Sequence, residues 1–253
     1  MTSKDYIGVF DSGVGGLSVL RHLRRLLPGE NFVYFGDCAN APYGAKTTAQ
    51  VRELTLAAVE KLVQQYPLKA LVVACNTATS AAIGALREAY PNMIVIGIEP
   101  ALKLAADLFP GGCIGVMATR VTLREEKFDQ LSRRFDTGCV VEKIPAPGLV
   151  ELIEAGKADS AEAEQLLGQI LTPYMGKLDA LVLGCTHYPF AAKAICKVMG
   201  DRVALLDGGE GTARQTRRLL QAAGLLNEGE GSLLLTASGN EDNFRCLAEN
   251  LLR

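Results

Sequence analysis

The sequence predicts an α/β protein of two pseudo-symmetric domains, each a mainly parallel sheet flanked by helices. Three observations carry this expectation. Short apolar runs alternate with longer amphipathic segments along the whole chain. Several of those runs have no polar alternation, which suits strands covered on both faces. Finally, two pairs of segments recur in the same order. "IGVFDS" begins at Ile7 and "IGVMAT" at Ile114, an offset of 107 residues; "ALVVAC" begins at Ala70 and "ALVLGC" at Ala180, an offset of 110.

Taken in order, "YIGVF", "NFVYF", "ALVVA", "MIVIGI", "CIGVM", "CVVEKI", "ALVLG", "RVALL" and "SLLLTA" read as strands. Between them, "TTAQVRELTLAAVEKLVQQ" reads as a helix opened by Thr47, with Gln50 at capping-box spacing and apolar positions Val51, Leu54, Ala58 and Leu62 on one face. "AEAEQLLGQILTPYM" and "EGTARQTRRLLQAAG" read the same way. Strand–helix alternation implies right-handed crossovers. The second domain is expected over residues 98–207. The first is expected over 1–97, completed by 208–253, because the pattern "SLLLTASGNEDNFRCLAENLL" returns a strand and a helix to it.

Composition narrows the function classes. The chain has 253 residues, is 49% hydrophobic and carries a formal net charge of −2. That balance gives no electrostatic reason to expect nucleic acid or an anionic membrane as partner. No apolar run reaches the roughly 18 residues of a membrane span. "MTSKDYIGVF" does not read as a signal peptide. Seven cysteines, with no Cys-x-x-Cys pair, argue against a disulfide framework and for reducing cytoplasm. With only His22 and His187 as histidines, a structural zinc site is disfavoured.

In open α/β sheets, ligands bind beyond the carboxyl ends of strands. The polar residues there are Asp11 and Ser12, Cys75-Asn76-Thr77, Thr119 and Thr122, and Cys185-Thr186-His187. Ser12, Thr77 and Thr186 stand beside helix starts, where hydroxyls and free N–H groups hold carboxylates; each also suits plain N-capping. "DSGVGG" does not match Gly-x-Gly-x-x-Gly, and a Walker phosphate loop is absent. A single cysteine at a strand end suits packing. Two in matched contexts suit chemistry: if the halves close on each other, a thiolate and a thiol flank one substrate, remove a proton from one face and return one to the other. Asp11 and His187 are the titratable neighbours expected to position or tune them. His187 also suits a surface or capping role.

The chain resembles the glutamate racemases of the aspartate/glutamate racemase superfamily. The resemblance rests on "IGVFDSGVGGLSVL" (7–20), "FGDCANAPYG" (35–44), "ACNTAT" (74–79), "ATRVT" (118–122) and "GCTHYP" (184–189), which follow one another in the family's order. It implies two α/β domains enclosing glutamate, with Cys75 and Cys185 as the acid/base residues. It places Asp11, Ser12, Tyr43, Gly44, Asn76, Thr77, Thr186 and His187 in or beside the pocket, and Glu154 rather than Glu151 as an assisting acid. The threonines Thr119 and Thr122 belong to the matched "ATRVT". The loop before Pro42 carries Cys38 and Asn40, where the family carries another pair. The resemblance further implies no pyridoxal phosphate, no metal, no other cofactor, and a role in supplying D-glutamate for peptidoglycan. A homodimer is expected by analogy. Three rivals stand beside this reading: a racemase of aspartate or another acid, a thiol hydrolase using one cysteine with His187 as base, and a glutamate-binding protein without chemistry.

Overall fold

The computed structural model describes residues 5–124 and 138–252. It separates into two compact units, Met1–Glu99 with Gly209–Arg253, and Pro100–Gly208.

The first unit runs β1 (Tyr6–Asp11), α1 (Leu17–Leu26), β2 (Phe32–Gly36), two short 3-10 turns (Cys38–Asn40 and Tyr43–Ala45), α2 (Thr48–Gln65), β3 (Leu68–Val73), α3 (Asn76–Ala89) and β4 (Ile94–Gly97). The second runs α4 (Leu102–Leu108), β5 (Cys113–Ala118), α5 (Arg120–Arg124), β6 (Val140–Pro145), α6 (Leu149–Glu154), α7 (Ala161–Leu171), β7 (Ala180–Leu183), α8 (Ala192–Met199) and β8 (Ala204–Asp207). The chain then returns to the first unit with α9 (Gly209–Ala222), β9 (Leu233–Ala237) and α10 (Glu241–Leu252). Among the described residues no helix is long and apolar enough to cross a membrane.

Both sheets are parallel throughout. Their orders are β4-β3-β1-β2-β9 and β8-β7-β5-β6, so the second repeats the first without its last strand. The repeat extends to register: Ile7 pairs with Ala70, and Ile114 with Ala180. Helices cover both faces. In the first unit α2 packs on α3, while α1 packs on α9 and α10. In the second, Met117, Leu181 and Leu183 face a core shared with α6, α7 and α8, and Ile114, Val116, Ala180 and Val182 face one shared with α4 and α5. A strand buried on both sides has no polar face to alternate, hence the unbroken apolar runs of β1, β3, β5 and β7. Each buried Val, Leu or Ile contributes about 1.5–3 kcal/mol. The outer strands β6, β8 and β9 are only partly covered.

Local signals set the helix ends. Thr47 caps α2 in a full capping box with Gln50. The segment 161–175 reads as one helix, but α7 stops at Leu171 and a 3-10 turn follows over Thr172–Tyr174. Pro173 is the cause: it lacks an N–H and its ring collides with the preceding turn. The link from α9 to β9 is fastened by Lys69, whose buried ammonium donates to Leu225 O and Asn227 Oδ1 and pairs with buried Glu30 at 2.5 Å.

Candidate active site

In the first unit the site residues gather beyond the carboxyl ends of β1, β2 and β3. Asp11 is fully buried at the end of β1, where one carboxylate oxygen accepts the N–H of Gly13 at 2.9 Å. Such a side-chain-to-backbone bond turns the chain out of the strand. The N–H of Ala74 donates to Phe10 O at 2.8 Å, one rung past the end of β3, so Cys75 emerges next to Ser12. The Ser12 hydroxyl and the Cys75 sulfur are 3.5 Å apart. Cys75 is itself the N-cap of α3, and its sulfur accepts the N–H of Ala78 at 3.5 Å. The sequence assigns capping to hydroxyls; here the thiol takes that place, which aims it along the helix start, where partial positive charge favours an anion. Asn76 and Thr77 fill the first turn of α3, both buried. The side-chain oxygen of Asn76 is buried with no hydrogen-bond partner among the described residues.

Tyr43 and Gly44 lie in the 3-10 turn after Pro42. The Tyr43 hydroxyl donates to Asp37 Oδ2 at 2.7 Å. Burial, foremost, holds the phenol protonated well above its usual range. The bond to Asp37 and the negative charge of Asp37, Cys75 and Asp11 add to this.

In the second unit the corresponding residues follow β5 and β7. Thr119 Oγ1 accepts the N–H of Thr122 at 3.3 Å and lies 3.0 Å from Thr122 Oγ1, both residues buried at the start of α5. Gly184 N–H donates to Met117 O at 2.7 Å, the counterpart of the Ala74 rung, and delivers Cys185 and Thr186. The Cys185 sulfur stands 3.8 Å from His187 Nδ1, and His187 Nε2 stands 2.8 Å from Glu154 Oε1 at the end of α6. His187 is buried, whereas the Glu154 side chain is 26% exposed. Glu151 is exposed. Tyr188 is buried with its hydroxyl donating to Ala146 O. Burial, then the charge of Cys185 and Glu151, holds its phenol protonated.

One local expectation is corrected. Cys185 does not open an α-helix as Cys75 does; a 3-10 turn, Tyr188–Ala191, intervenes before α8. Pro189 steers the residue before it away from helical geometry. Cys185 is therefore flanked by an imidazole, and Cys75 by a hydroxyl and a backbone N–H.

Within the first unit, Asp11, Ser12, Tyr43, Gly44, Cys75, Asn76 and Thr77 thus share one end of the sheet. Within the second, Thr119, Thr122, Glu154, Cys185, Thr186 and His187 do so. Sequence reasoning passed over Asp37, although it follows β2 as Asp11 ends β1, and the strand-end rule marks it equally.

Residues 7–216 match the family described as Asp/Glu/Hydantoin racemase. The glutamate racemase of Clostridium acetobutylicum is 48% identical over 249 residues, covering 97% of this chain and 96% of its own. The glutamate racemase isoform RacE1 of Bacillus anthracis superposes with a TM-score of 0.91 at 36% identity, covering 99% of this chain and 95% of its own. Escherichia coli glutamate racemase, solved in complex with L-glutamate and the activator UDP-MurNAc-ala, gives 0.85 at 35% identity, covering 97% and 94%. A family match over most of the length, and relatives aligned nearly end to end, establish that the chain belongs to the Asp/Glu/Hydantoin racemase family.

Proposed function

We propose that the protein racemises glutamate, converting L-glutamate to D-glutamate with two cysteines as the bases and no cofactor. The observation that carries this reading is the matched ending of the two sheets: two residues past β3 and two residues past β7, each strand paired in the same register to its neighbour, comes a buried cysteine with a polar partner. The glutamate bound to a relative supports the substrate.

In this mechanism one thiolate takes the α-proton from one face of the substrate. The electron pair passes toward the α-carboxylate, and the other thiol gives its proton to the opposite face. No atom is gained or lost, the stereocentre inverts, and the sulfurs exchange protonation states, which readies the site for the reverse reaction. The α-proton is far less acidic than a thiol, so basicity alone is insufficient; an enzyme must supply at least about 8 kcal/mol. Fixed donors to the carboxylate, exclusion of water and orientation between the thiols are the available terms. Ser12 and the Ala78 N–H steady the sulfur of Cys75, with Asp11 beside them; His187, held by Glu154, steadies that of Cys185. Ser12, Tyr43, Gly44, Asn76, Thr77, Thr119, Thr122, Thr186 and His187 bind the substrate. The unpartnered Asn76 oxygen supports this, since a buried acceptor left without a donor costs about 1–3 kcal/mol and an ammonium group would relieve it. The product serves peptidoglycan synthesis in the cytoplasm, and a homodimer is the proposed assembly.

The line Cys185–His187–Glu154 also has the order of a nucleophile, base and orienting acid, the layout of a thiol hydrolase. One experiment separates the readings. In D₂O without added cofactor, either enantiomer of glutamate is expected to give both enantiomers carrying α-deuterium. Consumption of substrate, or tight binding with no exchange, overturns the racemase reading.

A further inference from the structure

The carboxylate of Asp37 collects hydrogen bonds from three side chains. Tyr43 Oη donates to Oδ2 at 2.7 Å, Asn40 Nδ2 lies 3.1 Å from both oxygens, and Ser238 Oγ donates to Oδ1 at 2.7 Å. Ser238 Oγ in turn accepts the N–H of Ala39 at 3.0 Å. Asp37 is buried, and its own N–H donates to Asp11 O at 2.9 Å. Ser238 is 201 residues away in sequence. It arrives because β9 pairs with β2 in parallel, Gly36 opposite Ala237, and because its N–H donates to Gly36 O at 2.9 Å.

From this network we infer that Ser238 is a positioning residue for the Tyr43–Gly44 turn, acting through Asp37 from the strand that closes the sheet. The inference rests on the reading that this turn lines the substrate pocket. Residues 37–46 contain only two 3-10 turns, so their own backbone fixes them weakly. What fixes them is a buried carboxylate, which must be met by donors. Ser238 supplies one such donor and also accepts from the loop's backbone. With its proton committed to Asp37, the Tyr43 oxygen offers a ligand lone pairs only. Loss of the Ser238 hydroxyl leaves Oδ1 with Asn40 alone and the Ala39 N–H without its acceptor. The loop then samples more conformations, and the cost falls on substrate binding.

The test compares the full chain with Ser238→Ala, Ser238→Thr, Tyr43→Phe and the Ser238→Ala/Tyr43→Phe double variant. Loss of one hydrogen bond of ordinary net worth is expected to raise KM for glutamate about fivefold with kcat changed less than about twofold. Threonine keeps the hydroxyl and is expected to restore KM. The double variant is expected to be no weaker than Tyr43→Phe, because the two residues act along one line. Unchanged KM in Ser238→Ala, or a double variant equal to the product of the singles, overturns the inference. Ser238→Cys, which keeps the size and weakens the donor, gives the same readout if alanine impairs folding. Hydrogen exchange of amides 38–46 reads the positioning independently of any activity. It is expected to quicken about fivefold in Ser238→Ala and not in Ser238→Thr, and equal rates overturn the inference whatever the substrate. A parent chain inactive on glutamate, with the exchange effect intact, overturns the proposed function alone.

Discussion

His187 Nε2 lies 2.8 Å from Glu154 Oε1, while the other ring nitrogen faces the Cys185 sulfur at 3.8 Å. The imidazole is thereby engaged at both ends, which fixes its plane and holds it against the thiol. Nothing equivalent stands beside Cys75, whose sulfur meets the Ser12 hydroxyl and a backbone N–H instead. The two half-sites share a backbone plan and differ in the groups that support the sulfur.

Glu154→Gln keeps the size and the hydrogen-bonding capacity of the side chain but removes its charge. The difference between a charge-assisted and a neutral hydrogen bond is about 1.4 kcal/mol, which predicts a fall in kcat of about tenfold. Glu151→Gln, at an exposed position on the same helix, is expected to leave kcat within about twofold. Coupled assay of both variants, with D- and L-glutamate each as substrate, checks the pair; equal losses reject the assignment of Glu154.

The thiols are predicted to fail as a unit. Cys75→Ala and Cys185→Ala are each expected to lower racemisation by roughly 1000-fold or more, and the double variant by little beyond either single one. Turnover retained in one single variant rejects the two-base reading, and circular dichroism of the enantiomer mixture at fixed times measures it.

Much of this was readable from the chain. The strands announce themselves because both faces are covered, so Val, Ile, Leu and Ala follow one another without a polar break. Cys75 and Cys185 stand out because the same few residues precede each, and the shared register of Ile7 with Ala70 and Ile114 with Ala180 is the physical origin of that repetition. The choice between Glu151 and Glu154 is a matter of where a six-residue helix ends, which periodicity does not fix. Pro189 was visible, yet its effect depends on how the turn after Cys185 is built. Asp37 passes the same strand-end test as Asp11, but its importance comes from Ser238, brought over by a pairing of β2 with β9 that no local pattern encodes.

Tyr43 makes stability fall in alkali. Burial and Asp37 raise its pKa in the folded protein above the ordinary value of 10. Above that value the unfolded chain releases the phenolic proton and the folded one keeps it. The unfolded state then binds fewer protons, so the stabilisation present below pH 10 is lost as pH rises. One proton corresponds to about 1.4 kcal/mol per pH unit. Urea unfolding between roughly pH 9 and 11.5 is expected to show a shallower decline for Tyr43→Phe than for the parent. Parallel curves reject the account.

Gly16, the N-cap of α1, sets two effects against each other. Its φ of −62° suits any residue, so alanine would gain about 0.4–1 kcal/mol by restricting the unfolded chain. A Cβ there would meet Asp11 Cβ at 2.7 Å, Ala74 Cβ at 3.0 Å and the Tyr34 hydroxyl at 3.0 Å. Overpacking of this kind costs about 1–3 kcal/mol and wins. The first of those atoms belongs to Asp11, beside Cys75, so Gly16→Ala is expected to lower both stability and kcat. Gly84 supplies the control, because it lies inside α3 with nothing within 4 Å of an added Cβ. Gly84→Ala is therefore expected to stabilise by about 0.5–1 kcal/mol and to leave kcat unchanged. Chemical denaturation and initial rates on the two variants decide the matter: a stabilised, fully active Gly16→Ala means that the turn after β1 yields without moving Asp11.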